Sequence, residues 1–279
     1  MRGSFVTSKE DVNNFFKVAQ MNNQEGIYVC WSTSPSAVKR ILPPPLEMVG
    51  PVVFAYIINI QEPTFCSRYT EGAIAVPATC NGVSGLYWIS FMLGGPGALM
   101  GTFGGREVAG IPKKIADEIR VERTGNYAHA YVERHGIRII DVEMDITGQY
   151  NNEAAKGVFG EPAPGLEVLL QGLFYKYDVN KDSNGKIHFT DGRLTSLVFD
   201  TVYKDWEKGE AKVTLKDSIE DPWAELEVIE VLGAGYCHNN IDLAKGDVIT
   251  EVDIDEVMPY LMSGRFDKGV MNKGESVFF

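Results

Sequence analysis

Apolar positions along this chain gather mostly into short continuous or alternating runs of the kind that strands produce. Ile27 to Trp31 and the strongly apolar Val52 to Ile60 are the first two predicted strands. Ile119 to Glu122, Ala128 to Glu133, Ile137 to Ile146, Leu166 to Tyr177, Lys186 to Phe189, Arg193 to Tyr203 and Ala224 to Val231 add further strands. Helical signals are few. Thr7-Ser8-Lys9-Glu10 has the form of a capping box and opens a helix through about Gln20. Ser34 caps a short helix with Pro35 at its first position, ending at Ile41 before Pro43-Pro44-Pro45. Asp255 to Met262 reads as a closing helix. No linker, low-complexity tract or repeat is visible. The expected fold is therefore β-rich α+β, a single mainly antiparallel barrel-like domain over residues 1–279 with short peripheral helices.

One stretch departs from this pattern. The 34 residues from Gly72 to Gly105 hold no charged side chain, although charged residues make up 23% of the chain. Gly94-Gly95-Pro96-Gly97 divides it, and nine glycines and Pro77 give it poor helix propensity, so it does not read as a membrane span. Two buried strands, Leu86 to Leu93 and Ala98 to Phe103, joined by the Gly-Pro turn are expected instead. Charge returns at Arg106-Glu107, and Pro112-Lys113-Lys114 follows. An amine delivered into apolar surroundings resists protonation, because burial disfavours the charged form. A neutral lysine attacks a ketone to form a Schiff base. A second ammonium about 6 Å from such an amine supplies roughly 3 of the about 6 kcal/mol needed to free it near neutral pH, so burial must carry at least half. Neighbours on a strand also point to opposite faces, which weakens the help one lysine gives the other.

Composition narrows the partners. A formal charge of 26 − 38 = −12 argues against nucleic acid, whose phosphates need clustered Lys and Arg. Four cysteines without CxxC spacing suit a reducing compartment, and Met1 to Phe5 lacks the apolar run of a signal peptide, so a cytoplasmic location is expected.

Other constellations are weaker. Asn180 to Gly185 places oxygen side chains as a calcium loop begins, with Asp191 at the twelfth position. Its flanks favour strand, and the reading is a hairpin turn on Asn184-Gly185. His129, His135, His188 and His238 show no metal-ligand spacing, and no metal is expected. Gly101-Thr102-Phe103-Gly104-Gly105 matches neither phosphate-loop pattern.

Several ordered pieces together resemble acetoacetate decarboxylase and its superfamily: Pro44-Pro45-Leu46-Glu47, Tyr69-Thr70-Glu71, Asn81-Gly82-Val83, Gly105-Arg106-Glu107 and Pro112-Lys113-Lys114. The resemblance covers about Glu25 to Lys114. It implies a homo-oligomeric lyase without cofactor that decarboxylates acetoacetate or a related β-keto acid. Lys113 would be the Schiff-base lysine, Lys114 its companion and Glu71 an active-site carboxylate. Arg106 either faces the pocket or forms a surface ion pair with Glu107 or another acid. The family places an arginine before the Glu near its first strand, where this chain has Gln24-Glu25. It also places a glutamate on the strand after the prolines, where this chain has Tyr56. Tyr56 and Gln24 would then hold the substrate as neutral donors. These departures are similar to those of superfamily members that act as Schiff-base aldolase–dehydratases on 2-oxo acids. That reading, and a non-catalytic small-molecule-binding protein, remain the alternatives.

Overall fold

The structure is a computed structural model that describes residues 4–15 and 18–268. In chain order its elements begin with α1 (Lys9–Phe15), β1 (Ala19–Ser32), α2 (Pro35–Ile41), β2 (Glu47–Met48), β3 (Val52–Pro63), β4 (Tyr69–Cys80), β5 (Val83–Gly94) and α3 (Ala98–Gly104). A π-helical turn, Gly105–Ala109, leads to β6 (Lys113–Ile115), β7 (Glu118–Thr124), β8 (Tyr127–Arg134), β9 (Ile137–Asp145) and α4 (Ala155–Phe159). β10 (Glu167–Lys181), β11 (Ile187–Leu215), a 3-10 turn (Trp223–Glu225), β12 (Glu230–Glu251) and α5 (Ile254–Arg265) complete it.

Strand pairing runs β10-β5-β4-β3-β1-β12-β11, and β11 pairs again with β10, so these strands close a ring. Every joint in the ring is antiparallel except β5–β10, which is parallel and short. Gly85 makes that closure possible. A Cβ there would lie 2.3 Å from the carbonyl oxygen of Gln171 on β10.

At β3 both faces of the ring are buried, which is why this strand reads as one continuous apolar run. Phe54, Tyr56, Ile58 and Ile60 point into the barrel beside Tyr28, Trp88, Phe91 and Phe174. Val53, Ala55 and Ile57 point outward, where the β7–β8–β9 sheet covers them with Ala130, Val132, Val142 and Met144. β11 joins the two layers. Its early part pairs with β12, and Glu210 to Leu215 pairs with β9.

The β-rich, mainly antiparallel barrel with short outer helices is the architecture expected, but several boundaries differ. Ala98 to Phe103 is helix α3, not a strand. After Gly95 turns the chain at φ 88, Ala98, Leu99 and Met100 are good helix formers, and the Thr102 hydroxyl donates back to the Ala98 carbonyl at 2.8 Å. Ala224 to Val231 is largely the 3-10 turn and a following loop, because Pro222 lacks an N–H and the Trp31 indole takes the Leu226 carbonyl at 3.0 Å. The two expected strands over 186–203 merge into β11, with Asp191 at φ 54 forming the irregularity between them. The first helix is shorter than expected. Ser8 caps it, accepting from the Asp11 N–H at 3.1 Å and donating to that carboxylate at 2.6 Å. The part of that expectation on residues 16–17, and Met1 to Gly3 of the N-terminus, lie outside the described residues.

The Asn180–Gly185 segment is the β10–β11 hairpin, with Gly185 at φ 84. The Asp182 carboxylate closes it by accepting the Asn184 and Lys186 N–H groups at 2.8 Å each. No helix among the described residues is long and apolar enough to cross a membrane.

Gly85→Ala should drive a methyl group into β10 and destabilise the protein by about 2–3 kcal/mol, read from the urea-unfolding midpoint. Gly157→Ala in α4, where a Cβ meets nothing within 4 Å, should be neutral or stabilising by roughly 0.5–1 kcal/mol in the same assay.

Candidate active site

Strand alternation decides where each polar residue of this region goes. On β4, Tyr69, Glu71 and Ala73 share the inward face, while Gly72 and Ile74 face the outer layer. β6 runs parallel to β5, with Lys113 in register with Phe91 and Lys114 with Met92. Lys113 accordingly enters the barrel and Lys114 leaves it.

Inside, the Lys113 amine lies 3.0 Å from Glu71 Oε2, and both side chains are buried, at 5% and 2% exposure. The other Glu71 oxygen accepts a 2.6 Å hydrogen bond from the Tyr56 hydroxyl. Ring faces complete the surroundings, with the amine 5.8 Å from the Tyr69 centroid and 5.7 Å from that of Phe91. Burial, and then the neighbouring Glu71 carboxylate, push the Tyr56 phenol well above its ordinary value. Tyr69 is pushed up by the same two causes in the same order. Both phenols thus stay protonated, and Tyr56 is a fixed donor to Glu71. The arrangement joins a nucleophile, a carboxylate able to carry a proton and a donor that orients the carboxylate, in a site walled by aromatic rings.

Lys114 sits in different chemistry. Its amine donates to Asp221 Oδ1 at 2.7 Å, to the Glu220 carbonyl at 2.9 Å and to Asp267 Oδ1 at 3.3 Å. Those three bonds use all the donors an ammonium has. Arg134 closes the cluster, donating to Asp221 Oδ2 at 2.7 Å and to Asp267 Oδ2 at 2.8 Å. Burial works to raise the Asp267 carboxyl, but Arg134 and then Lys114 outweigh it and hold it down at about 2.

The loop that delivers Lys113 is held from outside by α5. Arg265 donates to the Gly110 carbonyl at 2.6 Å and to that of Tyr175 at 3.2 Å.

A model of the family described as acetoacetate decarboxylase (ADC) matches residues 5–252. The chain belongs to the acetoacetate decarboxylase family. It is 36% identical over 272 residues to a CLA biosynthesis isomerase of Lactiplantibacillus plantarum, covering 96% of each chain. It is 25% identical over 236 residues to an acetoacetate decarboxylase of Bordetella avium (strain 197N), covering 81% of this chain and 86% of that one. Among solved structures, acetoacetate decarboxylase from Legionella pneumophila superposes with a TM-score of 0.73 at 20% identity, covering 90% and 99% of the two chains. At that identity the likeness speaks to the fold.

Of the residues expected from sequence, the structure brings together Lys113, Glu71 and Tyr56. Gln24 is buried on the barrel-facing side of β1, its amide donating to the Met21 carbonyl at 3.0 Å and its Oε1 without a hydrogen-bond partner among the described residues. Lys114 is separated from Lys113 by the strand itself. Arg106 is directed away from the pair, its guanidinium 5.3 Å above the Phe266 ring. Residues to which the sequence assigned no role at the site matter as much. Tyr69 stands two positions before Glu71 and so shares its face, a signal that strand periodicity offered. Asp221 lies 107 residues from Lys114, and no local pattern links them.

Asp221→Asn should remove the negative charge shared by two buried cations and one of the two oxygens they use, and cost roughly 3–5 kcal/mol in a urea titration at neutral pH. Asp267 supplies a separate pH prediction. Its folded pKa of about 2 is below the ordinary value, so its stabilisation is present at neutral pH and is lost as pH falls from about 4 through 2. The difference in urea midpoint between wild type and Asp267→Asn should shrink over that window and be constant above about pH 5.

Proposed function

We propose that Lys113 forms an imine with a ketone substrate and that Glu71 moves protons on the neighbouring carbons, so that a carbon–carbon double bond migrates into conjugation with the ketone. The observation that carries this reading is the contact set of Glu71, one oxygen 3.0 Å from the Lys113 amine and the other held by Tyr56. Glu71 takes a proton from Lys113, and the freed amine bonds to the carbonyl carbon. The carbonyl oxygen takes one proton from the attacking nitrogen and the one that Glu71 returns, and leaves as water, giving a protonated imine. The Glu71 carboxylate then removes a proton from the carbon between the imine and the double bond, giving a dienamine and neutral Glu71. Returning that proton to the far end of the dienamine places the double bond in conjugation. Water hydrolyses the imine, releasing the conjugated ketone and restoring the Lys113 ammonium.

Two observations favour isomerisation over loss of CO₂. Among the described residues no arginine pairs with Glu71, so a substrate carboxylate beside it would be buried against like charge among aromatic rings, an arrangement that costs several kcal/mol. An uncharged ketone carrying a hydrocarbon arm meets no such penalty. The second is the relative from Lactiplantibacillus plantarum, named as an isomerase and matched along nearly its whole length. Decarboxylation of a β-keto acid through the same imine is the second reading, and the family's description favours it. There the electrons of the departing CO₂ enter the imine, and Glu71 protonates the enamine that results.

Borohydride added during turnover should fix a substrate adduct on the Lys113 peptide, and Lys113→Ala should abolish both adduct and turnover. Glu71→Gln should slow turnover by roughly 10²–10⁴-fold. A β,γ-unsaturated ketone should gain the ultraviolet absorbance of a conjugated enone, while acetoacetate should release little CO₂. The reverse pattern would make the decarboxylase reading correct, and an adduct on another lysine would remove the basis of both.

A further inference from the structure

We propose that Gly105 is a positioning residue, whose missing side chain lets the Lys113 chain lie where its amine meets Glu71. The proposal rests on the imine reading above for its catalytic meaning, but not for its geometry. A Cβ on Gly105 would stand 2.8 Å from both Cδ and Cε of Lys113 and 3.3 Å from its Nζ. Carbon atoms at van der Waals contact are about 3.5–4.0 Å apart, so an alanine at 105 and the observed lysine conformer exclude one another.

The backbone gives no other reason for glycine here. Gly105 has φ −63 and ψ −44, ordinary right-handed helical values at which alanine is favoured by roughly 0.5–1 kcal/mol. Gly104, the preceding residue, has nearly the same conformation, φ −57 and ψ −45, yet a Cβ there meets nothing within 4 Å. Two adjacent glycines with the same backbone therefore differ in one respect, contact with Lys113.

The Gly105 backbone is also fixed relative to the lysine. Its carbonyl accepts the Gly110 N–H, closing the π-helical turn, and the Ile111 N–H at 3.1 Å, two residues before Lys113. The turn thus forms a short closed loop with Gly105 lying against the lysine stem at one end and Lys113 leaving from the other. π-helical turns of this kind are rare and are often found at functional sites. A methyl group added at 105 would displace the flexible lysine chain in preference to the backbone, leaving the fold intact and the amine away from Glu71 Oε2. Misplacement of a reacting group by about 1 Å is enough to cost on the order of a hundredfold in rate.

The test compares Gly105→Ala with Gly104→Ala in the full-length protein, using two readouts at Lys113 and thermal melting. With 4-phenyl-2-butanone as the ketone, the rate of borohydride trapping on the Lys113 peptide should fall about a hundredfold in Gly105→Ala and stay within about twofold of wild type in Gly104→Ala. Acylation of Lys113 by acetic anhydride, normalised to surface-lysine peptides, should change in Gly105→Ala alone. Melting temperatures of both variants should equal or exceed that of wild type. Gly105→Ala behaving as Gly104→Ala in both chemical assays would overturn the proposal. Absence of an adduct in the wild-type protein would instead overturn the imine reading, and acylation would then decide the positioning role alone. Should Gly105→Ala fail to fold, the same substitution on a Lys113→Ala background should melt like Lys113→Ala itself. A loss that persists there would show that the glycine does not serve the lysine.

Discussion

Two adjacent lysines, both buried, are the constraint on which this structure turns. A strand sends neighbouring side chains to opposite faces, so β6 must supply two separate dry environments with two separate sources of negative charge. Burying an ammonium costs several kcal/mol unless carboxylates and carbonyls replace its water. The two solutions are unequal. Lys114 has its three donors occupied by Glu220, Asp221 and Asp267, with Arg134 binding both of those aspartates. Lys113 meets one carboxylate oxygen and two aromatic ring faces. The first arrangement fixes a strand; on the mechanism we propose, the second leaves an amine that can react.

The rest of the fold follows from keeping those environments apart. A closed ring has a dry interior only if its last joint is tight, and the contact of Gly85 with β10 supplies that joint. Aromatic rings wall the interior, and one of them, Tyr56, holds the Glu71 carboxylate in place through its hydroxyl. On the outer side, the segment around Asp221 and the residues after α5 converge on Lys114 and Arg134. A second ammonium therefore does not act on Lys113 at close range. Its charge is held by Asp221 and Asp267.

Much of this was legible in the residues. Continuous apolar runs identify β1 and β3, alternation identifies the β7–β9 sheet, and the uncharged stretch holds the buried strands β4 and β5, although its last part, α3, exposes Leu99, Met100 and Phe103. Ordered motifs point to Glu71 and Lys113. Other features were not legible, for identifiable reasons. Ala98 to Phe103 is apolar enough for a strand or a helix, and only the glycine-rich turn before it and the packing of Gly101 beneath Leu93 and Tyr69 settle the matter. Arg106 stands in a matching motif, yet one turn of π-helix rotates it onto Phe266. Asp221 is found by Lys114 through tertiary contact alone. The double glycine at 104–105 looks like ordinary loop composition until the distance to Lys113 is measured.

On the proposed mechanism Lys113 and Glu71 act together on the carbon next to a ketone, whatever group that carbon carries. Exchange of the α-hydrogens of acetone for deuterium in D₂O, followed by proton NMR, tests this without a leaving group or a double bond. Enzyme-dependent exchange is expected, abolished by Lys113→Ala and slowed severely by Glu71→Gln. Exchange that persists at the wild-type rate in Lys113→Ala would contradict it.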